Sequence, residues 1–180
     1  VRGETPSVGT GEKLMQLIDE EDNFDFDTYG WKMLFSNPGM GGTGIGPLSD
    51  KNGIYYQRLL ADVPAGKYLA NAQGKSYGCH AVSWIEGEND VYNNATGEAY
   101  YNNMVNLFTN LNNDIKSITG QIEDVNFFLY QTDCAHFYVN QYRYPHIPLA
   151  QTRICKNLTN VHFVTPIFMF PKLGDHIHLT

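Results

Sequence analysis

One segment, AVSWIEGEND at residues 81–90, constrains the fold of this chain more than any other. An apolar run, Ala81-Val82-Ser83-Trp84-Ile85, gives way at once to Glu86-Gly87-Glu88-Asn89-Asp90. A short apolar run bounded by glycine and polar residues marks a buried parallel strand entering a loop. Similar runs occur at residues 31–35, 125–130 and 161–168. Strands are therefore expected near residues 33–36, 82–85, 126–130 and 162–165, with the second of these central. Helical patterns separate them. Residues 11–21 place Leu14, Leu17 and Ile18 on one face, and residues 54–71 carry Leu59, Leu60, Val63, Tyr68 and Leu69. Pro64 predicts a kink or break in the second of these. Residues 100–118 form the longest pattern, with Met104, Val105, Leu107, Phe108, Leu111 and Ile115 near helical spacing and Gly120 beyond the end. A further helix is expected after Pro145. Strands alternating with helices predict an α/β fold in one domain over residues 1–180, a three-layer α/β/α sandwich with a mostly parallel sheet.

In open α/β sheets, ligands bind just outside the carboxyl ends of the strands. Glu86, Glu88, Asn89 and Asp90 stand at such an end. The plainer alternative is a solvated acidic turn. Residues 19–27 read as another acidic loop, anchored by Phe24 and Phe26.

A chain of 180 residues can bury about 70% of its unfolded surface, enough for one substantial core. Its net charge of −7 argues against non-specific binding to nucleic acid or to an anionic membrane, both of which need a basic face. No apolar run approaches the ~20 residues that span a bilayer. Val1 is not an initiator methionine, so a processed or trimmed start is expected. The three cysteines, Cys79, Cys134 and Cys155, form no C-x-x-C pair. They read as buried free thiols, with one disulfide plus a free thiol as the alternative.

A second segment, Ser36-Asn37-Pro38-Gly39-Met40-Gly41-Gly42-Thr43-Gly44-Ile45-Gly46-Pro47, holds five glycines within eight residues. The phosphate-binding patterns G-x-G-x-x-G and G-x-x-x-x-G-K-[ST] are absent from it. Glycine lets a backbone turn sharply and approach a ligand closely. The chain then ends in Gly174-Asp175-His176-Ile177-His178-Leu179-Thr180.

These blocks resemble the SGNH (GDSL-like) hydrolase superfamily, and within it the sialate O-acetylesterase-like carbohydrate esterases of bacteria and phage. In that family the middle block reads W-x-Q-G-E-x-D and the last reads D-x-x-H-L-T. Trp84–Asp90 and Asp175–Thr180 match them in order. The family's glycine block, often G-G-[ST]-x-I, is matched by Gly41-Gly42-Thr43-Gly44-Ile45. Its first block, G-Q-S, aligns with Gly3-Glu4-Thr5, so Thr5 stands where the family has its serine nucleophile and Glu4 where it has glutamine. Ser7 is a second candidate hydroxyl, two residues out of register. The plain reading of Thr5 is a helix N-cap, with Pro6 at the first helical position.

The resemblance implies an SGNH/flavodoxin-like sheet and ester hydrolysis without a cofactor. Thr5 would be the nucleophile, His178 the base and Asp175 its orienter. Oxyanion donors would be the Asn89 amide, a backbone N–H of Gly41 or Gly42, and the N–H of Thr5. Glu4, Glu86, Glu88 and Asp90 would face the substrate, an acetylated carbohydrate or glycan. Glu86 departs from the family's glutamine. A protonated Glu86 can donate a hydrogen bond as glutamine does, an ionised one cannot, and a solvent-directed one makes the change neutral. Asp175, His176 and His178 offer metal ligands, but alternate residues of an extended segment point to opposite sides, and no metal is expected.

The family has a strand before its first block and a helix after its last. Neither is present, so a longer protein, or further domains or chains that complete the sheet, are expected. Bacterial secreted or periplasmic and phage virion-associated settings fit the family. The alternative to an esterase is a non-catalytic carbohydrate-binding or structural module, because the usual serine is Thr5.

Overall fold

The computed structural model describes residues 6–133 and 145–174. The chain divides into two compact units, Val1–Gly39 and Met40–Thr180.

The first unit contains helix α1 (Pro6–Asp22) and the short helix α2 (Phe26–Tyr29). Pro6 opens α1, where a missing N–H costs nothing. The expected acidic loop is therefore shorter: Asp19 to Asp22 belong to α1. Asp25 caps α2 by accepting hydrogen bonds from the N–H groups of Asp27 (3.0 Å) and Thr28 (3.2 Å). Gly30, in the left-handed region at φ 63°, ends α2. Phe24 stacks on Tyr29 with centroids 4.7 Å apart and meets the edges of Phe26 and Trp31.

The strand expected at residues 31–35 does not form; that stretch has no regular secondary structure. Its pattern is strand-like, but a strand needs a ladder partner, and both described elements of this unit are helices. Its aromatic side chains pack on α1 and on the segment before α2 instead. Trp31 joins the Phe24 cluster. Phe35 lies against Gly11 of α1, where an added Cβ would fall 2.4 Å from its ring.

The second unit is α/β. It runs α3 (Ile45–Ser49), α4 (Ile54–Asn71), β1 (Ala81–Trp84), α5 (Glu88–Tyr92), α6 (Gly97–Thr119), β2 (Asn126–Gln131), α7 (His146–Asn157) and β3 (Val161–Pro166). The described strands form one parallel sheet in the order β1-β2-β3, with Trp84 opposite Leu129 and Leu129 opposite Phe163. Parallel neighbours need crossovers. Helices α5 and α6 lie between β1 and β2 in the chain, and α7 lies between β2 and β3.

Among the described strands the middle one is β2, and the strand at residues 81–84 lies at one side of it. In β1, Ala81 and Ser83 are exposed while Trp84 is buried, and Ile85 falls outside the strand and is exposed. Phe127 and Leu129 of β2 are fully buried.

Helix α6 organises the core. Thr96 caps its start by accepting from the Ala99 N–H at 3.1 Å, and Gly120 at φ 83° ends it. Tyr100, Met104, Leu107, Phe108, Leu111 and Ile115 form one buried stripe. Phe108 stacks on Phe127 with centroids 4.3 Å apart and meets the edge or face of Trp84 at 5.8 Å, near perpendicular.

Helix α4 continues through Pro64 without the expected break. Proline removes one helical N–H, but Val63 beside it is anchored in the core. Gly66 lets Tyr77 lie against the helix, since a Cβ there would fall 2.6 Å from the Tyr77 hydroxyl. Among the described residues, no helix is long and apolar enough to cross a membrane. Cys79 and Cys155 are half-buried free thiols, and burial pushes both up from the ordinary thiol pKa. Cys134 lies outside the described residues.

The stacked Phe108 sets a stability expectation. Phe108→Ala should lower the unfolding free energy by about 3–5 kcal/mol, as deletion of a buried ring does. Urea denaturation followed by circular dichroism checks it, and a loss below 1 kcal/mol would contradict the packing described.

Candidate active site

The loop that leaves β1 meets the glycine-rich segment, although some 45 residues separate them in sequence. The Ile45 N–H donates to Asp90 Oδ2 at 2.8 Å in a buried hydrogen bond. The Asn89 side-chain amide donates to the Gly42 carbonyl at 3.0 Å. Asn93, one turn along, donates to Asn89 Oδ1 at 2.8 Å and steadies that amide. Gly44 makes the approach feasible. A Cβ there would lie 3.0 Å from Asn89 Oδ1 and 3.2 Å from both Asp90 oxygens. Gly42 has a different reason to be glycine: its φ is 70°, in the left-handed region.

The acidic segment is not a solvated turn. Glu88 and Asp90 fall in the first turn of α5, where carboxylates complement the helix dipole. Gly87 precedes them at φ 145°, and a Cβ there would sit 2.8 Å from both Gln151 Nε2 and Thr132 Cγ2. No other residue type fits both the dihedral and the space.

That close approach lets Gln151 of α7 bridge three elements. Its amide nitrogen donates to the Glu86 carbonyl at 2.8 Å, and its oxygen accepts from the Thr132 N–H, also at 2.8 Å. Gln151 is fully buried, so these bonds satisfy groups that water cannot reach. The Tyr100 hydroxyl, also in reach of Gln151, donates to Glu86 Oε2 at 3.0 Å. The Tyr130 hydroxyl donates to Glu88 Oε1 at 2.5 Å.

Glu86 is held as a neutral acid. Burial first, then the neighbouring Asp90 carboxyl, push its pKa up to about 10, against a smaller opposing effect of the Tyr100 hydroxyl. Its Oε1 is buried and has no hydrogen-bond partner among the described residues. In the protonated state Glu86 can donate a hydrogen bond as a glutamine would. Burial sets aside free solvation, and the raised pKa favours the protonated alternative of those open in the sequence. Burial and the Glu86 and Glu88 carboxyls raise the hydroxyl pKa values of Tyr100 and Tyr130 above the ordinary value.

Of the residues singled out from sequence, Gly42, Asn89 and Asp90 come together along one cleft of about 560 Å³. Glu86 and Glu88, expected to face substrate, direct their carboxyls to Tyr100 and Tyr130 and are not part of its lining. Gly41 lies one residue before the lining and is exposed. Ser7 belongs to α1. Glu4, Thr5, Asp175 and His178 lie outside the described residues, and so does His176. Among the described residues, no group of three histidine, cysteine or acidic side chains could hold a metal ion.

Sequence reasoning missed Gln151, Tyr100 and Tyr130. Gln151 carried a usable signal: it sits on the buried stripe of α7 with Ile147, Ala150 and Ile154. A polar residue at a core-facing position calls for a partner. Tyr100 and Tyr130 carried none, because tyrosine is ordinary in a helix stripe or a strand.

No protein-family model, curated protein or solved structure matches this chain.

The neutral Glu86 has a pH signature. Its folded pKa, about 10, lies above the ordinary carboxyl value of 4.5, so the folded state keeps a proton that the unfolded state loses. Stability from this group is complete below the unfolded pKa and is lost as pH rises through the folded one. Between pH 6 and 8, wild type should lose roughly 1.4 kcal/mol per pH unit relative to Glu86→Gln. Urea titrations of both proteins across that range measure the difference. Parallel curves would show that Glu86 is ionised in the fold.

Proposed function

We propose that the chain is a carbohydrate O-acetylesterase of the SGNH type, built on a three-layer α/β/α arrangement that extends the parallel sheet of β1, β2 and β3. The observation that carries this reading is the joining of Asn89 to the glycine loop at the carboxyl end of β1, through the 3.0 Å bond to Gly42 and the companion bond from Ile45 to Asp90. Two of the segments on which the resemblance rests meet at the edge where an α/β sheet binds ligands.

In this reading the Thr5 hydroxyl attacks the acetyl carbonyl carbon, and its proton passes to His178, which Asp175 orients. The carbonyl oxygen gains negative charge. Donors for it are the second amide hydrogen of Asn89, the backbone N–H of Gly41 or Gly42, and that of Thr5. The intermediate collapses as His178 returns the proton to the departing sugar oxygen, which leaves as an alcohol. Water, deprotonated by His178, then attacks the acetyl-enzyme and releases acetate. Removal of one preorganised oxyanion donor commonly costs about 3 kcal/mol of transition-state stabilisation.

The neutral state of Glu86 supports the same reading, because it restores the hydrogen-bonding role of the family's glutamine. A second reading, a non-catalytic carbohydrate-binding module, draws on Thr5 in place of serine and on the use of one Asn89 amide hydrogen within the protein.

Hydrolysis of p-nitrophenyl acetate separates the two. Wild type should exceed a folded His178→Ala control, and Thr5→Ser should raise the rate at least tenfold, which corresponds to about 1.4 kcal/mol of better placement. Thr5→Ala should abolish the excess; if Ser7→Ala does so instead, Ser7 is the nucleophile. Activity of wild type and Thr5→Ser at the His178→Ala level would remove the esterase reading.

A further inference from the structure

The cleft beside Asn89 extends past the residues assigned to the ester. Its lining includes Tyr55 from α4, Asn93 at the end of α5 and Asn103 from the second turn of α6. The cleft's volume of about 560 Å³ falls within the ~300–1,000 Å³ typical of small-molecule sites.

Among the described residues, neither the Tyr55 hydroxyl nor the Asn103 amide has a hydrogen-bond partner. Asn93 gives its nitrogen to Asn89 and keeps its carbonyl oxygen to accept. The wall therefore offers an amide with both donors and acceptor, a further amide oxygen, and a phenol that can do either. Sugar hydroxyls, each both donor and acceptor, match such a set. The ring of Tyr55 adds an apolar face for the C–H side of a pyranose.

The charges narrow the class of sugar. No lysine, arginine or histidine appears in the described lining, and its one carboxyl is Asp90. The chain as a whole carries −7. A sugar acid would bring its carboxylate to a wall without a counter-charge and close to a like charge. A neutral sugar meets no such penalty.

We propose that Tyr55, Asn93 and Asn103 form a subsite for an uncharged pyranose, so that the ligand is a neutral sugar rather than a sialic or uronic acid. This rests on the carbohydrate reading above and narrows its substrate class. The subsite lies next to Gly42 and Asn89, so an ester on a sugar held there would meet the proposed oxyanion donors.

The test is saturation-transfer NMR on the whole chain with methyl glucoside, galactoside and mannoside, each beside its methyl uronate, and with N-acetylneuraminic acid. At least one neutral glycoside should bind, with its uronate and the sialic acid at least tenfold weaker. Asn103→Ala, which inserts a good helix former, and the conservative Tyr55→Phe should each weaken that binding several-fold while the circular dichroism spectrum stays unchanged. Equal or tighter binding of the acids would overturn the proposal. So would failure of every neutral glycoside, or wild-type affinity in both variants. The outcome is separable from that of the esterase test. Neutral-glycoside binding by a chain that hydrolyses no ester supports the subsite and removes the esterase. Hydrolysis of p-nitrophenyl acetate without glycoside binding overturns the subsite and leaves the esterase.

Discussion

The hydrogen bond from the Ile45 N–H to Asp90 ties the glycine loop to the loop that leaves β1, and the candidate site depends on it. The bond is buried, so neither group can turn to water if the other is lost. It also sets where α3 begins, because Ile45 is the first residue of that helix. Asn89 and Asn93 extend the same join along one side of α5. Gly44 lets the loop approach this closely, since an added Cβ would crowd the Asn89 and Asp90 side chains at 3.0–3.2 Å.

Holding three carboxyl groups so close together requires each to be neutralised or partnered. Among the described residues this is done locally. Glu86 keeps a proton, Asp90 accepts from a backbone N–H, and Glu88 accepts from the Tyr130 hydroxyl. Tyr100 and Gln151 complete the set, and both are fully buried. A network of this kind is favourable when every member is satisfied and costly when one is lost. Its members come from the loop after β1, from α5, α6 and α7, and from β2 with the residue just past it. The site is thereby coupled to most of the α/β unit. The described ion pairs are elsewhere: Lys51 with Asp114, Lys116 with Asp124, Arg153 with Glu98 and Lys172 with Asp133.

Much of this unit was legible in the order of residues. The stripe of α6 and its Gly120 stop follow from helical period and capping chemistry, which act within a few residues, whereas the start at Gly97 with its Thr96 cap came three residues before the expected one. The runs that became β1, β2 and β3 stand out for the same reason. Residues 31–35 show the limit of that logic. Their pattern suits a strand, yet a strand exists only with a partner, and Trp31 and Phe35 pack on Phe24 and Gly11 instead. Pro64 shows the opposite case, in which anchoring of Val63 in the core outweighs a local helix breaker.

By itself, then, the sequence determined the helix and strand periods, the parallel α/β class, and the candidate importance of the glycine loop and of Asn89 and Asp90. These depend on short-range patterns and on residue chemistry that is visible one position at a time. Tertiary structure alone decided that β2 lies between the other described strands, that burial raises the Glu86 pKa, and that Glu88 is partnered by Tyr130. It also decided that Gln151 bridges three elements and that Tyr55, Asn93 and Asn103 share a cleft. Each of these depends on which distant groups are brought within hydrogen-bond reach and how far water is excluded between them, and no local pattern encodes either.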